Sequence, residues 1–323
     1  ELYKVSLSGK SELFKKADLY AGVSFSPDGS YVMITTIQKP YSYIVPLSRF
    51  PQKSVVYDKS GKEIKVVNEV PLTEVMPKGF SSTRKGKRSM SWRADQPATL
   101  VFVEALDEGD QANKVDFRDE VFLWDAPFSS NPKSLVKTQQ RYGGIMWGNE
   151  TNAIVMDQWY DTRNMKTYLI NPSNPNAAPK IINDRNYQDI YSDPGTFEMK
   201  RNQYGRGVIA IENNNAYLIG DGNTKEGQFP FIDEFNLATL KTKRLYQSSY
   251  KDKKEDIYSI ADVKKGDVLV MIQSKNEYPN YYFRNIKSKN KLTQITNFKN
   301  PFESIKDVYK EVINYKRKDG VDL

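Results

Sequence analysis

Four cations fall within five positions of the stretch STRKGKRS: Arg84, Lys85, Lys87 and Arg88. Such a cluster reads either as a cationic rim that draws acidic peptides by long-range attraction or as a solvated loop. Arg141 stands just before YGG, at the start of an apolar run. It could reach a ligand carboxylate or pair with a neighbouring Asp. Arginine suits the first task because its planar fork offers two parallel N–H bonds to a carboxylate. The candidate binding residues are therefore Arg84, Arg88 and Arg141. Arg93 follows Trp92 in a turn and could as easily bind Asp95 locally. The segment DEGDQANKVDFRDE (107–120) gathers Asp107, Glu108, Asp110, Asp116, Asp119 and Glu120. Calcium wants oxygen ligands of this kind, but the spacing departs from the D-x-[DN]-x-[DN]-G loop. A solvated, mobile loop is the reading favoured for it, and neither metal nor cofactor is expected.

Two residue types are missing. The 323 residues contain no His and no Cys. A Ser-His-Asp triad needs an imidazole to shuttle its proton, and no G-x-S-x-G nucleophile elbow occurs either. His-ligated and thiolate metal sites are excluded with them. No catalytic residue is assigned to this chain. The net charge of +8, from 48 basic and 40 acidic residues, is a mild bias over a large surface. Nucleic-acid domains cluster such charge on one face, so no nucleic-acid partner is expected. No apolar run reaches the ~18 residues of a membrane span. The opening ELYKVSLSGK has neither an initiator Met nor a signal-peptide core and reads as the middle of a protein. Absence of Cys and a basic balance suit a secreted or periplasmic bacterial protein, with the cytoplasm as the alternative.

The elements that must position these residues repeat. VSFSPDGSYVMITTI (23–37) sets a polar turn between two runs of β-formers. The same grammar recurs at 88–106, 142–160, 195–214 and 257–276. Aligned on the last apolar residue before each turn (Phe25, Trp92, Trp147, Met199, Ile260), the intervals are 67, 55, 52 and 61 residues. A period of this size signals a repeat architecture. Each unit continues into two weaker strands, such as RDEVFLWDAP and KSLVKT. Four antiparallel strands per unit describe a β-propeller blade. TLVFVEAL and NAIVMDQW each carry an unbroken apolar run, LVFV and AIVM, as strands buried on both faces should. The four tryptophans fall in or beside strands and read as blade packing. Five units are complete. Residues 1–16 look like the last two strands of an earlier blade, and NPFESIKDVYKEVINY (300–315) has the apolar spacing of a helix. The rival fold is a β-sandwich or several small β domains.

Several phrases are long and idiosyncratic: KPYSYIVPLSRFPQKSVVYD (39–58), GFSSTRKGKRSMSWRADQPATL (79–100), RYGGIMW (141–147), YSDPGTF (191–197), ITNFKNPF (295–302) and INYKRKDGVDL (313–323). In this order they resemble the propeller of the glutamyl endopeptidase branch of the prolyl oligopeptidase family of serine peptidases. The repeat count gives about five and a half blades, of an expected seven, over residues 1–299, followed by a linker helix and hairpin over 300–323. The resemblance implies that KRKDGVDL is the first hairpin of an α/β-hydrolase domain, with Asp319-Gly320 in a two-residue turn. It implies a propeller that gates and selects peptides, cleaved after glutamate, for a hydrolase domain beyond Leu323. The chain alone should then hydrolyse no peptide. The other functions weighed are a stand-alone binding propeller, against which the terminal hairpin argues, and a propeller glycosidase. A glycosidase needs two carboxyl groups ~5–10 Å apart, and SPDGSY lacks the spacing of sialidase Asp boxes.

Overall fold

The computed structural model describes residues 1–305, 308–309 and 311–323. Strands β1 (Leu2–Val5) and β2 (Ser11–Lys15) pair as a two-stranded sheet. The first blade is β3 (Tyr20–Phe25), β4 (Tyr31–Ile37), β5 (Gln52–Asp58) and β6 (Glu63–Val70). The second is β7 (Arg88–Trp92), β8 (Thr99–Ala105), β9 (Asp119–Asp125) and β10 (Lys133–Thr138). The third is β11 (Arg141–Asn149), β12 (Asn152–Trp159), β13 (Asn164–Ile170) and β14 (Lys180–Asn186). In each of these blades the strands lie side by side in chain order and antiparallel. The chain is all-β, a β-propeller of four-stranded blades.

The pattern of burial explains why these sheets stack as blades. In β8, Leu100 and Phe102 enter one core cluster with Met33, Val56 and Val67 of the first blade. Val101 and Val103, pointing the other way, enter a second cluster with Trp147, Ala153 and Val155 of the third blade. Alternate residues of one strand face opposite sides of the sheet, so a strand sandwiched between two blades must be apolar at every position. The same split recurs in β12, where Ile154 leaves Ala153 and Val155 to pack against Phe197, Ile209 and Leu218. Each of these side chains is nearly or wholly buried, which is worth about 1.5–3 kcal/mol for each Val, Leu, Ile, Phe or Met. A two-layer sandwich would cover each sheet on one face only.

Turn chemistry fixes the hairpins. In the turn between β3 and β4, Gly29 takes φ +68° and donates to Ser26 O at 2.9 Å. Asp28 accepts from the Ser30 amide at 2.9 Å and from the Ser26 hydroxyl at 2.7 Å. The Asp28 amide donates at 3.1 Å to Pro97 O, in the matching turn of the second blade.

The fourth repeat departs from expectation. Its sheet is ordered β15 (Thr196–Phe197), β18 (Asn215–Gly220), β21 (Phe231–Asn236) and β22 (Thr242–Gln247). Between the first two strands, β16 (Met199–Arg201) and β17 (Gly207–Ile209) form a hairpin of their own. In sequence the hairpin looks like the start of the blade, and β18 is hidden between flanks, ENNN and GDGN, that look like turns. A further small hairpin joins β19 (Asn223–Thr224) to β20 (Gly227–Gln228). The fifth sheet is β23 (Lys253–Asp262), β24 (Asp267–Ser274), β25 (Asn280–Asn285) and β26 (Lys291–Gln294).

The chain divides into two compact units, residues 1–218 with 234–243, and residues 219–233 with 244–323. In the first, the β16–β17 hairpin reaches the other blades: Asn202 Nδ2 donates to Ala94 O at 2.8 Å and Arg206 Nη2 to Phe25 O at 2.8 Å. The second has its own core around Ile232, Tyr246, Val268, Val270 and Ile272. It also holds a buried ion pair, Arg284 Nε to Glu255 Oε1 at 2.7 Å. Of the helix expected over 300–315, the described residues form one 3₁₀ turn, Glu303–Ile305. Residues 308–309 and 311–315 are not helical, and 306, 307 and 310 lie outside the described residues. Val308, Tyr309, Val312 and Ile313 are exposed, so among the described residues the apolar stripe is not buried against a core that would stabilise a helix. The terminal hairpin forms, with Arg317 N donating to Val321 O at 2.9 Å and Gly320 N to Arg317 O at 2.9 Å. Its loop has three residues rather than two, with Gly320 left-handed at φ +88°. This is the turn-plus-bulge form of hairpin.

Candidate functional site

The cationic stretch and the acidic stretch meet at one end of the second and third blades. Arg88 opens β7, Asp119 opens β9 and Arg141 opens β11. The register of the second blade sets Arg88 opposite Val103 and Asp119 opposite Ala105, so both reach the same edge. Asp107 and Asp119 have no exposed side-chain surface. Arg141 Nη2 donates to Asp107 Oδ2 at 2.6 Å and Arg141 Nη1 to Asp119 Oδ1 at 3.0 Å. Arg141 Nε donates to Ser81 O at 2.5 Å. Arg88 pairs with the other oxygen of Asp119, which also accepts from Tyr142 N at 2.7 Å. Arg118 Nη1 donates to Asp107 Oδ2 at 2.9 Å, and to the Gln111 and Asn113 carbonyls at 3.2 and 2.6 Å. Three guanidiniums thus bind two carboxylates away from water. Burial alone would push the Asp107 carboxyl up, but the bonds from Arg141 and Arg118 outweigh it and hold the group below the usual carboxylate range.

Two loops clasp over this cluster. Thr83 N donates to Gly109 O at 2.8 Å, and Ser81 N donates to Gln111 Oε1 at 2.9 Å. The approach is close because glycine stands on each side. A Cβ on Gly109 (φ +80°) would sit 2.1 Å from Thr83 O, and one on Gly79 (φ +109°) 2.1 Å from the Gln111 side chain. Both φ values lie in the region that side chains rarely adopt.

The cations of STRKGKRS consequently have four different fates. Arg88 is consumed by Asp119. Lys85 pairs with Glu108 at 2.9 Å, both exposed. Lys87 lies 4.4 Å over the Trp124 ring and donates to Val67 O at 3.1 Å; burial pushes its pKa down. Arg84 donates to two carbonyls, Lys85 O at 3.1 Å and Lys87 O. No carboxylate among the described residues pairs with it. Burial first, and the neighbouring Arg88 charge second, push its pKa down, yet an arginine stays a cation. It lines a pocket of about 500 Å³ with Thr83, Lys85, Glu108 and the segment 70–77.

Arg88 and Arg141 are therefore brought together, on Asp119, while Arg84 stands apart from both carboxylates. Arg141 takes the Asp pairing that its sequence position left open. Arg93 binds Asp95 at 2.8 Å, the local alternative. The solvated, mobile reading of 107–120 is corrected at its ends, since Asp107 and Asp119 are buried anchors of the ion cluster. Arg118 was missed. Its signal was its place between two acidic clusters, on a loop that must turn back to β9.

No family model matches the chain. Two curated relatives match it from end to end. It is 38% identical over 338 residues to a protein of Oryza sativa subsp. japonica named "Probable glutamyl endopeptidase, chloroplastic", and 36% identical over 339 residues to one of the same name from Arabidopsis thaliana. The alignments cover all of this chain and 36% and 35% of those proteins. The chain thus spans about a third of the length of the curated relatives it matches. Both relatives are plant proteins with a chloroplast designation, where composition alone pointed to a bacterial, secreted or periplasmic one. Among solved structures, oligopeptidase B from Trypanosoma brucei is similar at 12% identity and a TM-score of 0.48, over 96% of this chain and 39% of that one. Among the described residues, no helix is long and apolar enough to cross a membrane.

Proposed function

The chain belongs to the family of the glutamyl endopeptidases, and we propose that it is the propeller part of a serine peptidase that admits and selects peptides cleaved after glutamate. With no His in these 323 residues, the imidazole and nucleophile of that chemistry would come from an α/β-hydrolase domain, the partner to which the 316–323 hairpin would lead. The chain itself would attract and orient substrate. One observation supports this reading best: Arg84 is a half-buried cation with carbonyl partners but no carboxylate among the described residues, and it lines a pocket. A substrate carboxylate would complete its pairing. Arg88 and Arg141 would act one step removed, by holding the loop that carries Arg84.

The test is the parent peptidase with Arg84→Ala, assayed on matched peptides with Glu or Gln before the scissile bond. If Arg84 acts at a distance, kcat/KM for the Glu peptide falls at low salt. The loss fades at physiological ionic strength, where screening sets in over ~8 Å. If Arg84 grips the carboxylate directly, the loss is about 2–5 kcal/mol and resists salt. An unchanged Glu/Gln ratio at both salts would place glutamate selection elsewhere.

A further inference from the structure

The pocket at Arg84 has a twin. The segment Glu74–Pro77 forms the wall of a second pocket, also about 500 Å³, whose other side carries Arg49 and Phe80. Segment 71–78 belongs to no strand. Its backbone is anchored by Thr73 N donating to Arg49 O at 3.0 Å, and its Glu74 carboxylate accepts from the Ser42 hydroxyl at 2.8 Å. The ridge leaves Val75 88% exposed and Phe80, stacked on Tyr160 at 4.3 Å, 79% exposed. Arg49, like Arg84, has no carboxylate partner among the described residues. Both pockets lie in the first compact unit. Two cations without acid partners, one on each flank of a ridge with exposed apolar side chains, form a surface for an extended chain rather than for a small ligand.

We propose that the 74–77 ridge divides a peptide-binding groove into two anion subsites, Arg84 on one side and Arg49 on the other, which together favour peptides bearing two separated acidic side chains over those bearing one. The inference rests on the proposed function for the Arg84 side and adds Arg49 and the second acidic residue. Apolar side chains flanking the two acids would cover Val75 and Phe80. Glu74, on the ridge itself, limits affinity by like-charge repulsion.

The experiment measures fluorescence anisotropy of labelled decapeptides titrated with this chain at low salt. The peptides carry one Glu, two Glu at separations of two to six residues, or Gln at the same positions. At one or more separations the two-Glu peptide is expected to bind about tenfold tighter than the one-Glu peptide, an increment of about 1.4 kcal/mol. Arg49→Ala should abolish that advantage and leave one-Glu binding to the Arg84 side intact. Glu74→Gln should tighten the two-Glu peptide. Circular dichroism of each variant checks that it folds. Two outcomes overturn the inference while leaving the Arg84 reading in place: an Arg49→Ala chain that keeps the full two-Glu advantage, or no advantage at any separation. Equal binding of Glu and Gln peptides by the unmodified chain would instead fail both.

Discussion

Arg84 and Arg88 lie one loop turn apart and have opposite fates. Arg88 is paired with Asp119, a carboxylate with no exposed surface and 31 positions further on. Among the described residues Arg84 reaches carbonyl oxygens and the rim of a pocket, and no carboxylate. The difference shows that a run of basic residues is not a run of available charge. What a cation can do for a ligand depends on which acids the fold has already delivered to it. The same contrast holds among carboxylates. Asp107 is buried with two arginines, whereas Asp157 is buried with none. Asp157 Oδ2 accepts from Gln140 N at 3.0 Å and Tyr168 Oη at 2.9 Å, and Oδ1 has no hydrogen-bond partner among the described residues. Burial outweighs those bonds and the nearby Lys166 charge, and pushes its pKa up.

Removing the acid that consumes Arg88 should have the largest effect. Asp119→Asn leaves Arg88 without its carboxylate and Arg141 with Asp107 alone, so one buried positive charge of the cluster goes uncompensated. It should cost about 3–5 kcal/mol, read as a fall in the urea midpoint at unchanged slope. A loss under 1 kcal/mol would mean that the cluster is solvated and that Arg88 is as available as Arg84. Next comes the clasp. Gly109→Ala combines a strained φ with a 2.1 Å approach to Thr83 O and should destabilise by at least the 1–3 kcal/mol of a strained backbone. It should also loosen acidic-peptide binding, because Thr83 neighbours Arg84. Retained stability and affinity would show that the two loops do not depend on each other.

The two buried aspartates should differ in the sign of their pH response. Asp107 has a folded pKa below its unfolded one, near 3.9. Its stabilisation is present above that value and drains away as pH falls through the depressed one. Asp157 has a raised folded pKa. Its protonated form stabilises the fold at acid pH, and that benefit is lost as pH rises from about 3.9 through the raised value. Asp157→Asn removes the charge and keeps a carbonyl to accept both bonds. At neutral pH it should leave stability unchanged or raise it by about 1 kcal/mol, and it should flatten the alkaline side of the stability profile. A loss above 1 kcal/mol at neutral pH would show that Asp157 is ionised in the fold.

The fold was legible where one strand decides it. TLVFVEAL and NAIVMDQW are apolar at alternate and intervening positions alike, which only two-sided burial explains, and Ser-Pro-Asp-Gly announces its own turn. The fourth blade was not, because NAYLIG is a short strand between two clusters of turn residues and an inserted hairpin carries the stronger β signal. The site was half legible. Arg93 and Asp95 are two residues apart and their pairing could be read directly. The pairing of Arg88, Arg118 and Arg141 with Asp107 and Asp119 joins two blades and two loops, and no local pattern encodes it. Arg84 and Arg141 therefore look alike in sequence and differ only once the partners are placed.

The smallest expected loss of stability goes with the most direct test. Arg84→Ala breaks no ion pair among the described residues, and losing its hydrogen bonds to two carbonyls should cost about 1 kcal/mol. Titration calorimetry of this chain and its Arg84→Ala variant with an acidic decapeptide at low salt measures the claim itself. The account predicts about a tenfold weaker Kd for the variant, a change of about 1.4 kcal/mol. A variant that binds the acidic peptide as tightly as the unmodified chain would contradict it.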